Sequence, residues 1–141
     1  MIKLDTIVRL ATIDDDAFII SKWVKSIQNI YPNHYDKEFN TKYRKHVKQL
    51  FEKSLAVVSC LEDDHDCIIS YMVFTSFNKD LIIHFAYTKP DARRQGKVND
   101  LISYSNPENK LTIFTHPAHN QNVMKYLMSK YVYDPSILKL I

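Results

Sequence analysis

The side chains best suited to binding an anion lie in the segment Lys89–Lys97, KPDARRQGK, which contains the only glycine of the 141 residues, Gly96. An apolar strand pattern precedes this segment, and a helical pattern follows it. The first amides of a helix lack intrahelical partners and carry the positive end of its dipole, and glycine leaves the backbone uncovered. With Arg93, Arg94 and Lys97 nearby, Gly96 predicts a site for a phosphate or pyrophosphate. The alternative is a strand-to-helix turn that needs one positive φ angle and leaves its arginines in solvent.

Histidines are the candidates for proton transfer. His84 lies in a strand pattern, in phase with Ala86 and Thr88 at the two-residue period, and a neutral imidazole there could take a proton. A hydrogen-bonded strand histidine with a structural role is the alternative. His116 begins the segment HPAHN, which could face the same place or could cap a helix.

Other groups of residues favour structural interpretations. The segment CLEDDHDC, from Cys60 to Cys67, has a Cys-x4-His-x-Cys spacing that matches no ordinary zinc motif, so we predict a strand connection and no metal site. The cations of the second predicted helix could bind phosphates, but a solvated helix face also explains them: Lys37, Arg44, Lys45 and Lys48. The aromatic residues at apolar helix positions are predicted core residues: Trp23, Tyr43 and Phe51.

Composition limits the class of protein. We expect residues 1–141 to form a single domain, because the chain contains no linker or low-complexity tract. A net charge of +3 permits contact with nucleic acid or an anionic cofactor but requires neither. Two cysteines are too few for a disulfide framework. No apolar run approaches the roughly 18 residues of a membrane span, and no signal peptide is visible, so we expect a cytoplasmic protein without a membrane partner.

Apolar periodicity predicts ten main elements. The predicted strands are 5–11, 55–61, 67–75, 80–88, 111–115 and about 131–140. The predicted helices run from an N-terminal cap at Asp14, Asp15 or Asp16 to Ile30, and over 36–53, 98–104 and 118–131. The order β-α-α-β-β-β-α-β-α-β predicts an α/β (α+β) fold around one mixed sheet, mostly antiparallel because short polar turns join three consecutive strands.

These residues and this order resemble the GCN5-related N-acetyltransferase (GNAT) superfamily. The family motif Gln/Arg-x-x-Gly-x-Gly/Ala, between the fourth strand and the third helix, reads Arg93-Arg94-Gln95-Gly96-Lys97-Val98 here. The preceding AYTKPDA is similar to the family's lead-in, with Thr88 in a valine position and Pro90 matching. The family order covers essentially the whole chain. The first-helix segment SKWVKS is similar to that of small GNAT-like proteins encoded by bacteriophages.

The resemblance implies acetyl-CoA (coenzyme A) as the cofactor and an amine as the acceptor. The pyrophosphate would lie on amides of residues 93–98, and the pantetheine would pair with the backbone of Ala86, Tyr87 and Thr88. Amides of a splayed fourth strand would stabilise the oxyanion while the amine attacks the thioester directly. His84 is the candidate base. The family's fourth-helix tyrosine, a proton donor to the thiolate, has its nearest equivalent in Tyr126, which is out of register with the matching position.

Departures from the family pattern leave three hypotheses. Val98 stands where the family prefers glycine or alanine, and Asp100 adds a negative charge to the same helix turn. The first hypothesis is an acyl-CoA-dependent N-acyltransferase that acts on a small-molecule or protein amine. The second is a phage nucleic-acid-directed protein that modifies or binds DNA, and the third is a catalytically silent GNAT-like interaction module. Acyl-CoA binding separates the first from the third, and salt-dependent retention on DNA identifies the second.

Overall fold

The computed structural model describes residues 4–30, 37–108, 110–116 and 121–141. The predicted order of elements is confirmed. The strands are β1 (Thr6–Leu10), β2 (Leu55–Leu61), β3 (Asp64–Phe77), β4 (Asp80–Thr88), β5 (Thr112–Phe114) and β6 (Val132–Tyr133). The helices are α1 (Asp16–Ile30), α2 (Lys37–Glu52), α3 (Lys97–Ser105) and α4 (Gln121–Lys130). None of the described helices has the length and apolar character of a membrane span.

The six strands form one sheet in sequence order, β1 to β6. The first four strands pair antiparallel, as the short turns between β2, β3 and β4 require. β4 and β5 pair parallel, as do β5 and β6, because a helix crosses over between the members of each pair. The mixed, mostly antiparallel sheet predicted from the sequence is therefore confirmed.

Each face of the sheet has its own core. The α1 and α2 face buries Trp23, which is fully enclosed, and packs Tyr43 and Phe51 against the same cluster, so the predicted core role of these aromatic residues is confirmed. The opposite face packs Leu101 of α3 and Leu127 of α4 against β2, β3 and β4. The cations predicted on the solvated face of α2 are all exposed: Lys37, Arg44, Lys45 and Lys48.

Two element ends differ from the sequence expectation. The residue that precedes the first helical turn is Thr12, whose backbone N–H donates to the Asp15 carboxylate at 2.7 Å, so the acidic run follows the cap instead of forming it. The predicted strand at 131–140 is wrong beyond Tyr133. A 3₁₀ helix, Pro135–Lys139, replaces it, because proline lacks the N–H that a ladder needs and Asp134 accepts a hydrogen bond from the Ser136 N–H at 3.1 Å.

Candidate functional site

A cleft opens where β4 and β5 separate. Their register ends at Ile83 opposite Phe114, and one further hydrogen bond joins the Thr115 N–H to the Ile83 carbonyl at 3.0 Å. β4 continues for five more residues, to Thr88, while it pairs only with β3. Within the described residues, no strand pairs with the edge of residues 84–88 that a continuing β5 would face, so this edge is available to another extended chain.

A β-bulge lies at the residue where the two strands separate. Val73 stands opposite Phe85 and Phe74 opposite Ile83, so no residue of β3 stands opposite His84. An inserted residue changes which face the following side chains occupy. Ile83 packs with the α3 and α4 cluster, whereas Phe85, two residues later, packs with the α1 and α2 cluster. The bulge therefore reverses the alternation of β4.

The predicted phase of His84 is wrong for this reason. The His84 ring contacts Thr75, whose neighbours in β3 at the two-residue period face α1 and α2, whereas Ala86 packs on the opposite face. A regular strand would have put His84 and Ala86 on the same face. Because of the bulge, His84 shares its face with Phe85 instead.

Alternate residues of β4 turn their backbone groups to its open edge. The Lys89 N–H donates to the Ile69 carbonyl of β3 at 2.9 Å, and residues of an antiparallel strand alternate in the edge to which they turn their N–H and C=O. Tyr87 therefore faces β3, while Ala86 and Thr88 face the cleft. The Thr88 carbonyl accepts a hydrogen bond from Arg93 Nε at 3.1 Å. Of the three residues predicted to hold pantetheine, Ala86 and Thr88 have the required backbone direction.

Gly96 has both the positive φ that a turn requires and the uncovered backbone that an anion site requires. Its φ is +73°, so the turn needs a left-handed residue, and a Cβ atom built there would have no neighbour within 4 Å. Gly96 caps α3, and the side chains of Arg93 and Arg94 beside it are exposed. Arg94 itself has a φ of +65°, which is uncommon for a side chain of this size. The loop therefore presents uncovered backbone and positive charge at a helix N-terminus.

The two other polar side chains of the motif serve the fold. Lys97 is 4% exposed, and its Nζ donates to the Leu4 carbonyl and to Thr6 Oγ1, both at 2.8 Å. The Gln95 side chain accepts a hydrogen bond from the Leu4 N–H at 3.2 Å. The ammonium of Lys97 therefore binds Leu4 and the first residue of β1, and its role in adding charge around a phosphate stays a prediction. Its backbone amide still belongs to the first turn of α3. Val98 is half-buried there.

His84 is enclosed. Its ring is 2% exposed, with Nε2 at 2.8 Å from Thr75 Oγ1 and Nδ1 at 3.0 Å from Thr115 Oγ1. Burial, together with the neighbouring His116 and His46, lowers the pKa of His84 to about 3. A ring with both nitrogens occupied by threonines does not reach a substrate, so this geometry argues against His84 as the group that takes a proton from the acceptor.

The remaining candidates lie apart from one another. Tyr126 is 53% exposed, and its described contacts are with Lys130 and Ser129 of its own helix, whereas Leu127 faces the core. His116 is described and lies at the cleft, but the rest of the segment HPAHN, 117–120, is outside the described residues. No group of three or more potential ligands that could hold a metal ion occurs in the described ranges, which include the segment from Cys60 to Cys67.

Sequence reasoning missed two residues of the site, Thr75 and Thr115, whose hydroxyl groups bind the ring of His84. Trp23, predicted as a core residue, also stacks on Phe85 with ring centroids 5.5 Å apart. The available signal was the presence of lone polar residues at the ends of apolar strands, where a hydroxyl needs a buried partner.

Structural comparison places this cleft in a known architecture, although no protein-family model and no curated protein matches the sequence. The chain is similar to a PaiA N-acetyltransferase of Thermoplasma acidophilum in complex with coenzyme A, with a TM-score of 0.64 and 11% identity over 89% of this chain and 88% of that one. It is similar to a possible acetyltransferase of Clostridium difficile 630, with a TM-score of 0.54 and 20% identity over 92% and 91%.

A third similar structure is a ribosomal-protein-alanine N-acetyltransferase of Brucella melitensis biovar Abortus 2308, with a TM-score of 0.55 and 12% identity over 90% of this chain and 91% of that one. All three similarities extend over nearly the full length of both chains. At these identities they establish the arrangement of the backbone. The chain therefore has the fold of the GCN5-related N-acetyltransferase superfamily, with β4 and β5 splayed apart beside a glycine-capped helix.

Proposed function

We propose that the protein is an N-acyltransferase that transfers an acetyl group from acetyl-CoA to an amine. The observation that carries this proposal is the separation of β4 from β5 at His84, which opens a strand edge leading directly to Gly96. An extended ligand lying along that edge would reach the N-terminus of α3 with its anionic end. The similar structure from Thermoplasma acidophilum, an N-acetyltransferase in complex with coenzyme A, supports the same class of ligand.

Residues of the cleft fit the two ends of acetyl-CoA. Ala86 and Thr88 turn backbone groups to the open edge, where they can pair with the amides of a pantetheine arm. The first amides of α3 and the uncovered Gly96 suit a pyrophosphate, and Arg93 and Arg94 supply charge around it. The exposed carboxylate of Asp100 on the same helix opposes this charge, so we expect moderate cofactor affinity.

The backbone also suits the chemistry. Acetyl-CoA would supply a thioester whose carbonyl carbon an amine can attack without a covalent enzyme intermediate. Because β4 leaves β5 at the bulge, N–H groups of its open edge can donate to the developing oxyanion of that carbonyl. A thiol ionises near pKa 8.5, so water can return a proton to the thiolate without help from Tyr126.

Thermal unfolding with acetyl-CoA tests the proposal. A ligand that binds only the folded state at about 100 times its dissociation constant stabilises that state by about 2.7 kcal/mol, so the melting temperature should rise by several degrees. Gly96→Asp should abolish this rise, because a carboxylate would stand where the pyrophosphate lies.

Two control variants distinguish the effect of the new carboxylate in Gly96→Asp from the effects of its side-chain shape and of backbone strain. Gly96→Asn has nearly the same shape and also tolerates a positive φ, so it should keep more of the acetyl-CoA response than Gly96→Asp. Asn78→Asp introduces the same carboxylate at another positive-φ residue, in the turn between β3 and β4, and should respond like wild type. An undiminished rise in Gly96→Asp would contradict the pyrophosphate site, and no rise in wild type would contradict the proposed function.

A further inference from the structure

Three histidines and three hydroxyl groups form one hydrogen-bonded chain through the α1 and α2 side of the cleft. From the surface inward, His46 Nε2 lies 3.4 Å from His116 Nε2, and His116 Nδ1 lies 2.8 Å from Thr115 Oγ1. Thr115 Oγ1 lies 3.0 Å from His84 Nδ1, and His84 Nε2 lies 2.8 Å from Thr75 Oγ1. This hydrogen-bonded chain runs from α2 through the two residues after β5 to β4 and β3.

One set of bond directions satisfies every contact at the inner end of this hydrogen-bonded chain. Ser54 Oγ donates to the Leu50 carbonyl at 2.7 Å, which uses its single hydroxyl proton, and Thr75 Oγ1 lies 3.4 Å from Ser54 Oγ. In the arrangement that satisfies this contact, Thr75 donates to Ser54, His84 Nε2 donates to Thr75, and His84 Nδ1 is an acceptor.

The directions of the outer hydrogen bonds, between His84, Thr115 and His116, follow from those of the inner ones. Thr115 donates its hydroxyl proton to His84 Nδ1 at 3.0 Å, in preference to the Ile83 carbonyl at 3.5 Å. Thr115 Oγ1 therefore accepts from His116 Nδ1, so the proton of the neutral His116 ring sits on Nδ1. The lone pair of His116 is then on Nε2, the nitrogen at the outer end of the buried part of the chain.

The surroundings of His116 keep its ring neutral and in place. Burial and the neighbouring His46 lower the pKa of His116 to about 4. The Trp23 indole lies nearly perpendicular to the ring, with centroids 5.8 Å apart. Among the described residues, the other titratable groups that face the ring are His46 from α2 and His84 from β4. His116 is half-buried, whereas His46 is exposed and contacts it only at 3.4 Å, so a ligand nitrogen can replace His46 at Nε2.

We propose that His116 Nε2 takes the proton of the acceptor amine, and that Thr115, His84, Thr75 and Ser54 hold His116 in this proton-accepting tautomer. The inference rests on the proposed function, because it assigns the base of that same cleft. His116 is the catalytic residue. The four inner groups are positioning residues, since their chain ends on a carbonyl and cannot carry a proton further inward.

The transfer balances without another reactant. The amine lone pair forms the N–C bond, the C–S bond breaks, and the thiol sulfur leaves with its electron pair. The proton of the attacking nitrogen moves to His116 Nε2 and then to His46 or water, and the thiolate takes a proton from water. An amine nitrogen that has attacked a carbonyl carries positive charge and is more acidic than the free ammonium ion, so the neutral imidazole of His116 can accept its proton. The lowered pKa of the ring reduces the driving force of this transfer.

Long-range ¹H–¹⁵N NMR spectra of the histidine rings test the tautomers without any substrate. At pH 7 we expect the proton on Nδ1 in His116 and on Nε2 in His84. Thr115→Val should abolish the single tautomer of His116, because its Nδ1 loses the acceptor, whereas Thr115→Ser should restore it. A His116 ring that is charged at pH 7, or that carries its proton on Nε2, would overturn the inference.

Turnover provides the second measurement. With acetyl-CoA and a panel of primary alkyl amines, polyamines and amino sugars, His116→Gln should lower kcat by about 10²–10⁴-fold, the usual loss of a general base. The acetyl-CoA thermal shift should not change. His65→Gln, an exposed histidine on β3, is the matched control and should keep full activity. Thr115→Val should lower kcat by about tenfold, the effect of one hydrogen bond, with recovery in Thr115→Ser.

The outcomes separate the two proposals. Full kcat in His116→Gln, with normal acetyl-CoA binding in wild type, would overturn the base assignment alone. Failure of wild type to bind acetyl-CoA would overturn the proposed function whatever the tautomers are. If the protein binds acetyl-CoA but no amine of the panel reacts, the tautomer of His116 decides the inference by itself.

Discussion

Replacing Lys97 tests how the basic loop is divided between ligand binding and folding. The Lys97 Nζ donates hydrogen bonds of 2.8 Å to the Leu4 carbonyl and to Thr6 Oγ1, and the residue is nearly enclosed. Lys97→Met keeps the length of the aliphatic side chain but removes both bonds. We expect this variant to lose stability and to bind acetyl-CoA as wild type does.

The expected loss of stability arises because two oxygen atoms lose the hydrogen bond from Lys97. Leu4 and Thr6 are half-buried, so water reaches their oxygens only in part, and each unsatisfied group costs near the lower end of about 1–3 kcal/mol. Removing the buried ammonium also removes its desolvation cost, which offsets some of this loss. A net loss of about 2 kcal/mol in the free energy of unfolding should lower the melting temperature by about 6–8 °C in a chain of this size.

Urea unfolding and acetyl-CoA thermal shifts measure the two effects separately. Arg94→Met is the matched control, since Arg94 is an exposed cation of the same loop. It should leave the urea midpoint unchanged and reduce the response to acetyl-CoA. The reasoning is refuted if Lys97→Met unfolds at the wild-type midpoint but no longer responds to acetyl-CoA, because the ammonium would then face the ligand.

Two further predictions concern pH. Burial holds the pKa values of His84 and His116 at about 3 and about 4, so below pH 6.5 the unfolded chain binds more protons than the native protein. The free energy of unfolding should therefore fall between about pH 6.5 and pH 4, by up to about 1.4 kcal/mol per pH unit for each ring. In urea titrations at several pH values, His116→Gln should remove the part of this fall that His116 causes. A wild-type free energy of unfolding that does not change with pH would contradict burial of these rings. The hydrogen bond from Arg9 lowers the pKa of Asp15 in the folded protein. The ion pair therefore contributes fully to the free energy of unfolding above the unfolded-state pKa of 3.8, and this contribution is lost as the pH falls through the folded-state pKa. Asp15→Asn should cost about 1–3 kcal/mol at pH 7 and much less once the pH has fallen below the folded pKa of Asp15, and a loss that does not change with pH would refute the ion pair.

Most of the architecture could be predicted from local patterns. The bounds of β2 and β4 match the prediction because turn residues follow both strands and mark where they end. β3 runs from Asp64 to Phe77, beyond the predicted 67–75, because pairing with its two neighbours extends the strand through polar residues. Tertiary pairing of this kind is not visible in a single segment.

The side chains of the site were harder to predict, for reasons that differ between residues. His84 was assigned to the wrong face because regular alternation was assumed, and nothing in the local sequence marks where a strand gains a residue. Lys97 was expected to add charge around a phosphate because it lies in a basic loop, yet its ammonium binds Thr6, which lies 91 positions earlier in the chain. Gly96 was interpreted correctly in part, since its positive φ is a local requirement of the turn.

The bulge in β4 has a consequence for how such a cleft can arise. Residues 81, 83 and 86 face α3 and α4, while 82, 85 and 87 lie on the other side, so a chain without His84 would alternate regularly from end to end. Every other side chain of the strand would keep its present environment. The strand would then have no irregularity to separate it from β5, and the ladder could continue past Phe114. One inserted residue therefore accounts for the reversal of faces along the strand, and it brings an imidazole to the point where the two strands separate.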